Sequence, residues 1–203
     1  MLFRSGAVLS LAGKNVFANS KEEIPEGTKD IFEIIKSRRS VRKFKSTPVP
    51  KEHLTKILEA ANSAPTPRNR QAWKFVVIKE RKILDQIKEE CIKTAGEQTR
   101  QYFTDYLSAP VYVVVLANEK TRNPINDVLA GGLAAENLII AAQALGYGTV
   151  FATNSISEEI TKKILNIPDE YKRICITPIG IPDETPKDIT KKALDDVIVY
   201  EKF

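Results

Sequence analysis

The chain has 203 residues, of which 42% are hydrophobic and 28% charged, a balance that suits one folded domain with a substantial core. Lys and Arg exceed Asp and Glu by 31 − 26 = +5, a mild and dispersed excess that fits a small anion at least as readily as nucleic acid. The only cysteines, Cys91 and Cys175, form no CxxC pair and His53 is the sole histidine, which argues against a Cys/His metal site and a disulfide-rich scaffold.

At the N-terminus a basic start and a short apolar stretch resemble the opening of a signal peptide, but Lys14 and Asn15 interrupt the stretch and residues 17–20 make a poor cleavage site. We expect an arm over residues 1–28 that is flexible or embraces a partner, and one domain over residues 29–203. No other segment is apolar enough to span a membrane on this reading, so a soluble, cytoplasmic protein is expected.

Residues 30–37 form a short helix with Ile31, Ile34 and Ile35 on one side. Pro50 opens a second helix, whose Leu54, Ile57, Leu58 and Ala61 keep the i, i+3, i+4, i+7 spacing of a one-sided apolar stripe. The prolines at 65 and 67 end it in a stiff loop. The apolar run 75–78 has strand length, and a charged helix follows over about residues 81–94. Gly96 breaks that helix before a polar segment dotted with Tyr102, Phe103 and Tyr106. After Pro110, residues 111–116 are the strongest strand. Residues 126–145 form a helix apolar almost all round, which must be buried in the core or against a second subunit. Gly146 and Gly148 lead into a short strand through Val150 and Phe151, then a helix over 158–165 and a strand over 174–181. In the tail, residues 197–200 could add a strand to a sheet edge, of this chain or of another subunit. The fold class is α+β with a mixed sheet.

No nucleophile motif, Walker A loop or complete G-x-G-x-x-G fingerprint is present. His53 is expected to lie on the plain surface, and Asp195 and Asp196 at a solvated end. Two features carry anion-binding and heterocycle-binding character. Residues 37–43 hold four cations and two serines, and guanidinium groups bind phosphate as a bidentate fork. The proline-bracketed loop 65–73 offers Thr66, Asn69 and Gln71, side chains able to donate and accept at the edge of a flat ring. Taken singly, either could be an ordinary basic turn or a tight connection anchored by Trp73.

Taken together and in order, Arg38-Arg39-Ser40-Val41-Arg42-Lys43-Phe44, then Ala64-Pro65-Thr66-Pro67-Arg68-Asn69-Arg70-Gln71-Ala72-Trp73, Ser108-Ala109-Pro110, Ala144-Leu145-Gly146-Tyr147-Gly148-Thr149 and Ile179-Gly180-Ile181-Pro182 closely resemble the nitroreductase family of FMN-dependent oxidoreductases. The resemblance implies a three-layer α+β fold, with a central mixed and mainly antiparallel sheet between helices, in a domain-swapped homodimer. It implies that Arg38, Arg39, Ser40 and Arg42 bind the FMN phosphate and ribityl chain. It places Pro65, Thr66 and Asn69 of the second subunit at the ring, with Phe151, Ala152 and Thr153 running past it. Lys191 matches a phosphate-binding cation near the C-terminus, although Ala193 stands where the family has proline. Ala72 and Phe151 also depart from the common proline and tryptophan.

The family's chemistry resides on the flavin, so no side-chain catalyst and no metal is expected. NADH or NADPH would donate electrons in a ping-pong cycle and an electron-poor aromatic acceptor, a nitroaromatic or a quinone, would receive them. Arg42 is expected beside the N1–C2 edge of the ring, with Asn69 at another edge. Tyr102, Phe103 and Tyr106 are expected to stack on the acceptor, or else to be core aromatics. Within the same fold the alternatives are a reductive dehalogenase of iodotyrosine-like substrates, for which no clear Glu, Tyr and Lys set appears between Gly96 and Pro110, and a redox sensor or flavin store with little turnover. Nucleic-acid binding lacks a basic stripe with interleaved aromatics.

Overall fold

The computed structural model describes residues 30–203, so the arm expected at 1–28 and its signal-like start lie outside the described residues. The first helix, α1 (Ile31–Ser37), starts where the Asp30 carboxylate accepts from the Phe32 N–H at 2.9 Å. Of its apolar residues only Ile34 is buried; Ile31, Phe32 and Ile35 face outward. In α2 (Lys51–Asn62) the expected stripe is buried through Leu54, Ile57 and Ala61.

Three strands, β1 (Trp73–Ile78), β2 (Val111–Asn118) and β3 (Tyr171–Ile179), make an antiparallel sheet in the order β1-β2-β3. The register pairs Phe75 with Val115 and Val113 with Thr177, with an irregularity between Val115 and Leu116. The middle strand β2 is buried along almost its whole length because both faces are covered. Val111, Val113 and Val115 join Ile57, Leu138 and Ile139 in one core, on the side of α2 and α5 (Pro124–Ala144). Tyr112, Val114 and Leu116 join Leu84, Ile87 and Tyr106 in the other, beneath α3 (Arg81–Ala95), α4 (Arg100–Tyr106) and α6 (Glu158–Leu165). The period-two alternation of one strand thus builds both cores and the three-layer α+β fold.

Beyond β3 the sheet continues as single bridges. Gly148 pairs with Gly180 and Ala152 with Ile176, both antiparallel, while Ser40 pairs with Thr149 in parallel and Phe44 with Pro182 antiparallel. Residues 148–152 therefore lie in a fourth position and residues 40–44 flank them at the edge; the three strands are antiparallel, and the parallel component expected of the sheet is reduced to the Ser40–Thr149 bridge. The strand expected through Val150 and Phe151 is reduced to these bridges.

Within one chain residues 197–200 add no strand to a sheet edge; they follow a 3₁₀ turn at Leu194–Asp196 and stay exposed. By length and composition alone α5 is long and apolar enough to cross a membrane, a test that a buried core helix also passes. Its apolarity has a core explanation: Ala130, Ala134, Ala135, Leu138, Ile139 and Ala142 are buried where the helix lies across α2 and the sheet.

Candidate functional site

The basic element leaves α1 extended at Arg38 and becomes the edge of the sheet. The Val41 N–H donates to the Thr149 carbonyl at 2.9 Å, Lys45 N–H to Ile181 O at 2.9 Å, and Asp183 N–H to Lys43 O at 2.9 Å. Val41 and Phe44 turn into the core, which leaves Ser40, Arg42 and Lys43 toward the surface. Gly146 and Gly148 make this junction possible. Gly146 ends the α5 region with φ +84°, a left-handed conformation that favours glycine, and a Cβ on Gly148 would lie 2.8 Å from Val41 Cγ2. The sequence elements around Arg38–Arg42 and around Gly146–Thr149, more than a hundred positions apart, are thereby fused side by side.

The arginines differ in what they are free to do. Arg39 Nη1 donates to Lys36 O at 2.7 Å and Arg38 O at 3.0 Å, while Nη2 pairs with Asp188 at 3.0 Å; its Nε is buried and has no partner. Arg38 makes no side-chain hydrogen bond or ion pair among the described residues, and Arg42 makes only a long contact from Nη1 to Ser40 O at 3.4 Å. The backbone N–H groups of Arg42 and Lys43 donate to the Glu184 carboxylate. Through Glu184 and Asp188 the C-terminal tail is drawn across the basic element, and Lys191 follows three residues after Asp188, exposed.

Phe151 and Thr153 are exposed, while Ala152 is buried and its carbonyl accepts from Ile176 N–H at 2.9 Å. Under this segment lies Tyr106, packed in the same core as Val41, Val150 and Ala152. Burial pushes the Tyr106 hydroxyl up, with Ser155 and Arg42 near enough to pull it back, yet it forms no hydrogen bond of ordinary geometry. Thr149 Oγ1 is likewise buried and unpartnered. Of the aromatics expected to meet an acceptor, Phe103 and Tyr106 are core residues; Tyr102 is 45% exposed and stacks on Tyr106 with ring centroids 5.4 Å apart.

The proline loop is held elsewhere. Pro67–Asn69 forms a 3₁₀ turn, and Arg68, Asn69 and Gln71 are left-handed at φ 53°, 54° and 50°. The Trp73 indole N–H donates to Asn62 Oδ1 at 3.0 Å, and Gln71 N–H donates to Thr66 Oγ1 at 3.2 Å. Arg70 reaches Asp127 on α5 from Nε at 3.2 Å and Nη2 at 2.9 Å, and Thr121 Oγ1 donates to the other carboxylate oxygen at 2.5 Å. This loop precedes β1, at the opposite edge of the sheet from residues 40–44. Four strand spacings separate the two edges, about 19 Å. One chain therefore brings Arg38, Arg39, Ser40 and Arg42 together with Phe151, Ala152, Thr153 and the tail bearing Lys191, but not with Pro65, Thr66 and Asn69.

Three polar arrangements were not anticipated. His53 is half-buried and shares a 2.8 Å hydrogen bond between Nδ1 and the Tyr147 hydroxyl, which corrects its expected place on the plain surface; the turn after α5 folds back over α2. Asp127 is one of two acids in an apolar helix, with Glu136, and nothing in the sequence indicates Arg70 as its partner. The third is Arg173, buried on β3. The donor set at the edge suits FMN: two arginines with uncommitted guanidinium ends for a phosphate dianion, the Ser40 hydroxyl, and buried unpartnered donors on Arg39 and Thr149 beside them.

Comparison with known proteins agrees with this geometry. The model of the nitroreductase family matches residues 35–181. An iodotyrosine deiodinase from Thermotoga neapolitana is 31% identical over 192 residues, covering 86% of this chain and 100% of its own length. A Methanothermobacter thermautotrophicus protein, provisionally named NADH dehydrogenase/NAD(P)H nitroreductase, is 30% identical over 161 residues, 77% of this chain and 80% of its own. An FMN-dependent nitroreductase from Clostridium difficile superposes with TM-score 0.70 at 26% identity, over 85% of this chain and 99% of that one. The structure of an iodotyrosine deiodinase bound to FMN and 3-iodo-L-tyrosine gives TM-score 0.71 at 25% identity, over 86% and 100%. The chain belongs to the nitroreductase family of oxidoreductases.

Proposed function

We propose that this protein is an FMN-dependent oxidoreductase that takes electrons from NADH or NADPH and passes them to electron-poor aromatic acceptors such as nitroaromatics or quinones. The observation that carries the reading is the junction of Ser40 with Thr149, which sets two uncommitted guanidinium groups beside segment 151–153, where Phe151 and Thr153 are exposed. FMN, when bound, supplies the two-electron redox chemistry. Arg38, Ser40 and Lys191 hold the phosphate and Arg39 shapes the cradle, its terminal nitrogens already bonded to Lys36, Arg38 and Asp188. Arg42 offers positive charge to the ring edge where negative charge develops. Phe151, Ala152 and Thr153 border the ring, and Tyr102 is the aromatic best placed to meet an acceptor, being the exposed member of its stack.

A second copy completes the site by bringing Pro65, Thr66 and Asn69. The separation of the two sheet edges supports this arrangement, as do the outward Ile31, Phe32, Ile35, Leu129 and Leu133 on α1 and α5, which a second copy would cover. A sedimentation mass near the 22.7 kDa of one chain would contradict it.

Reductive dehalogenation is the second reading, favoured by the deiodinase relatives. Against it, Glu97 is taken up by Arg100, and Phe103 and Tyr106 by the core, so the segment between Gly96 and Pro110 offers only Tyr102 freely. The test is an absorbance spectrum of the purified protein followed by anaerobic NADH and then NADPH. Flavin bands near ~450 nm that bleach with either nucleotide are the expected result. A colourless protein that takes up no FMN would overturn the reading. Bound FMN that neither nucleotide reduces would point to a sensor, a store or another electron donor, and iodide release from 3-iodotyrosine by dithionite-reduced protein would move the assignment to the dehalogenase.

A further inference from the structure

Arg173 is 5% exposed, yet no carboxylate touches its guanidinium among the described residues. Glu158, the nearest acid, accepts instead from the Arg173 backbone N–H at 3.1 Å. The guanidinium is spent on one loop: Nη2 donates to Thr153 O at 2.6 Å and Ile156 O at 2.7 Å, and Nη1 to Ser157 O at 3.2 Å and Thr161 Oγ1 at 3.0 Å. Ser157 O also accepts from the Thr161 N–H at 3.1 Å, but Thr153 O and Ile156 O take no backbone N–H among the described residues, and a planar fork of donors is the side chain that can serve several carbonyls at once. Three residues along β3, Ile176 N–H holds the Ala152 carbonyl at 2.9 Å. The segment after Thr149 is thus fastened to β3 twice, once by backbone at Ala152 and once by a side chain at Thr153. Hydrophobic packing could have filled the same volume; it could not have fixed three carbonyl directions.

We propose that Arg173 is a positioning residue for the cofactor, acting through the Thr153, Ile156 and Ser157 carbonyls to hold residues 151–153 in the conformation that borders the flavin ring. This rests on the FMN reading above. Lysine would keep the charge but, as a compact ammonium on a flexible stem, could not span the three carbonyls.

The experiment titrates FMN into apo-protein by fluorescence quenching and records the visible circular dichroism of the bound flavin, for wild type, Arg173→Lys, Thr161→Val and Ile164→Ala. Thr161→Val removes one clamp partner and leaves the core volume nearly unchanged; Ile164→Ala weakens α6 without touching the clamp. The expected result is a Kd raised about tenfold with altered flavin dichroism in Arg173→Lys, a raise of about threefold in Thr161→Val, and a lower Tm with Kd within twofold in Ile164→Ala, the scale being that of one or two lost hydrogen bonds. If Arg173→Lys does not fold, the Thr161→Val result decides. Wild-type Kd and dichroism in whichever of these variants fold, or an equal loss of affinity in Ile164→Ala, would overturn the proposal and leave Arg173 a core residue only. Wild-type protein that fails to quench FMN at all overturns the FMN reading itself, a distinct outcome.

Discussion

Asp127→Asn tests whether the proline loop is held by charge. Asp127 is the one buried carboxylate among the described residues, and both its oxygens are used, one by the Arg70 fork and the other by Thr121. Asparagine keeps one acceptor for the Arg70 fork and turns an N–H toward the Thr121 hydroxyl, so the charge of the pair and the Thr121 donation to a carboxylate are both lost. A hydrogen bond to a charged group contributes about 1.5–3 kcal/mol. Arg70 is 26% exposed and can recover water, which places the loss in the lower half of that range, about 2 kcal/mol. For a chain of this length that lowers Tm by about 4–8 °C at fixed protein concentration. The sign with pH follows from the carboxyl itself. Burial raises its pKa, but the hydrogen bonds from Thr121 and Arg70 and the Arg70 charge outweigh burial and hold it below the usual range. A lowered folded value means the contribution is fully present above the unfolded value, about 3.9, and is lost as pH falls through the folded one. Thermal melts of wild type and Asp127→Asn should differ by a constant amount between pH 7 and 5 and converge below pH 4. A Tm unchanged at pH 7, or a gap that persists undiminished at pH 3, would refute the reasoning. A cycle with Arg70→Met separates the pair from its surroundings, and a coupling near zero would refute it equally.

The junction between residues 40–44 and 148–152 should tolerate no added methyl: Gly148→Ala sets a Cβ 2.8 Å from Val41 Cγ2, 2.9 Å from Val41 Cβ and 3.0 Å from Pro182 Cγ, and a loss of about 1–3 kcal/mol is expected in urea denaturation, with weaker FMN binding. Neighbouring arginines should separate by role. Arg38→Ala should weaken FMN by about 10–100-fold in calorimetric titration and leave Tm unchanged, whereas Arg39→Ala, which frees Lys36, Arg38 and Asp188, should lower Tm. Equal effects of the two on affinity and on Tm would show that the distinction between ligand and scaffold is wrong.

Much of this architecture can be read along the chain because it is local. The Leu54, Ile57 and Ala61 stripe, the charged helix ending at Gly96, the helix Glu158–Leu165 and the buried valine strand each follow from spacing and breakers within one element. What escapes is set by distant partners. Nothing near Arg39 signals that Asp188 will hold it, 149 positions away, nor that three carbonyls will gather around Arg173. Residues 197–200 have strand composition, but within one chain they pair with no strand, and composition does not name a partner. The aromatics of α4 illustrate the same limit: Tyr102, Phe103 and Tyr106 have similar neighbours in sequence, and only the packing decides that two face the core and one faces out.

The division of the site across the sheet follows from β2. A strand buried on both faces must sit in the middle, with β1 and the proline loop on one side and β3, the 148–152 segment and the basic element successively on the other. The proline loop cannot swing across that distance, because Trp73–Asn62 and Arg70–Asp127 fasten it at both ends of its strained turn. The basic element cannot either, since Val41 and Phe44 anchor it in the core. If both halves bind one flavin, as the family resemblance implies, the loop must come from another molecule. The buried ion pair and the glycine junction then have a common physical purpose: each fixes its half rigidly enough, within its own chain, for two chains to meet around one ligand without further adjustment.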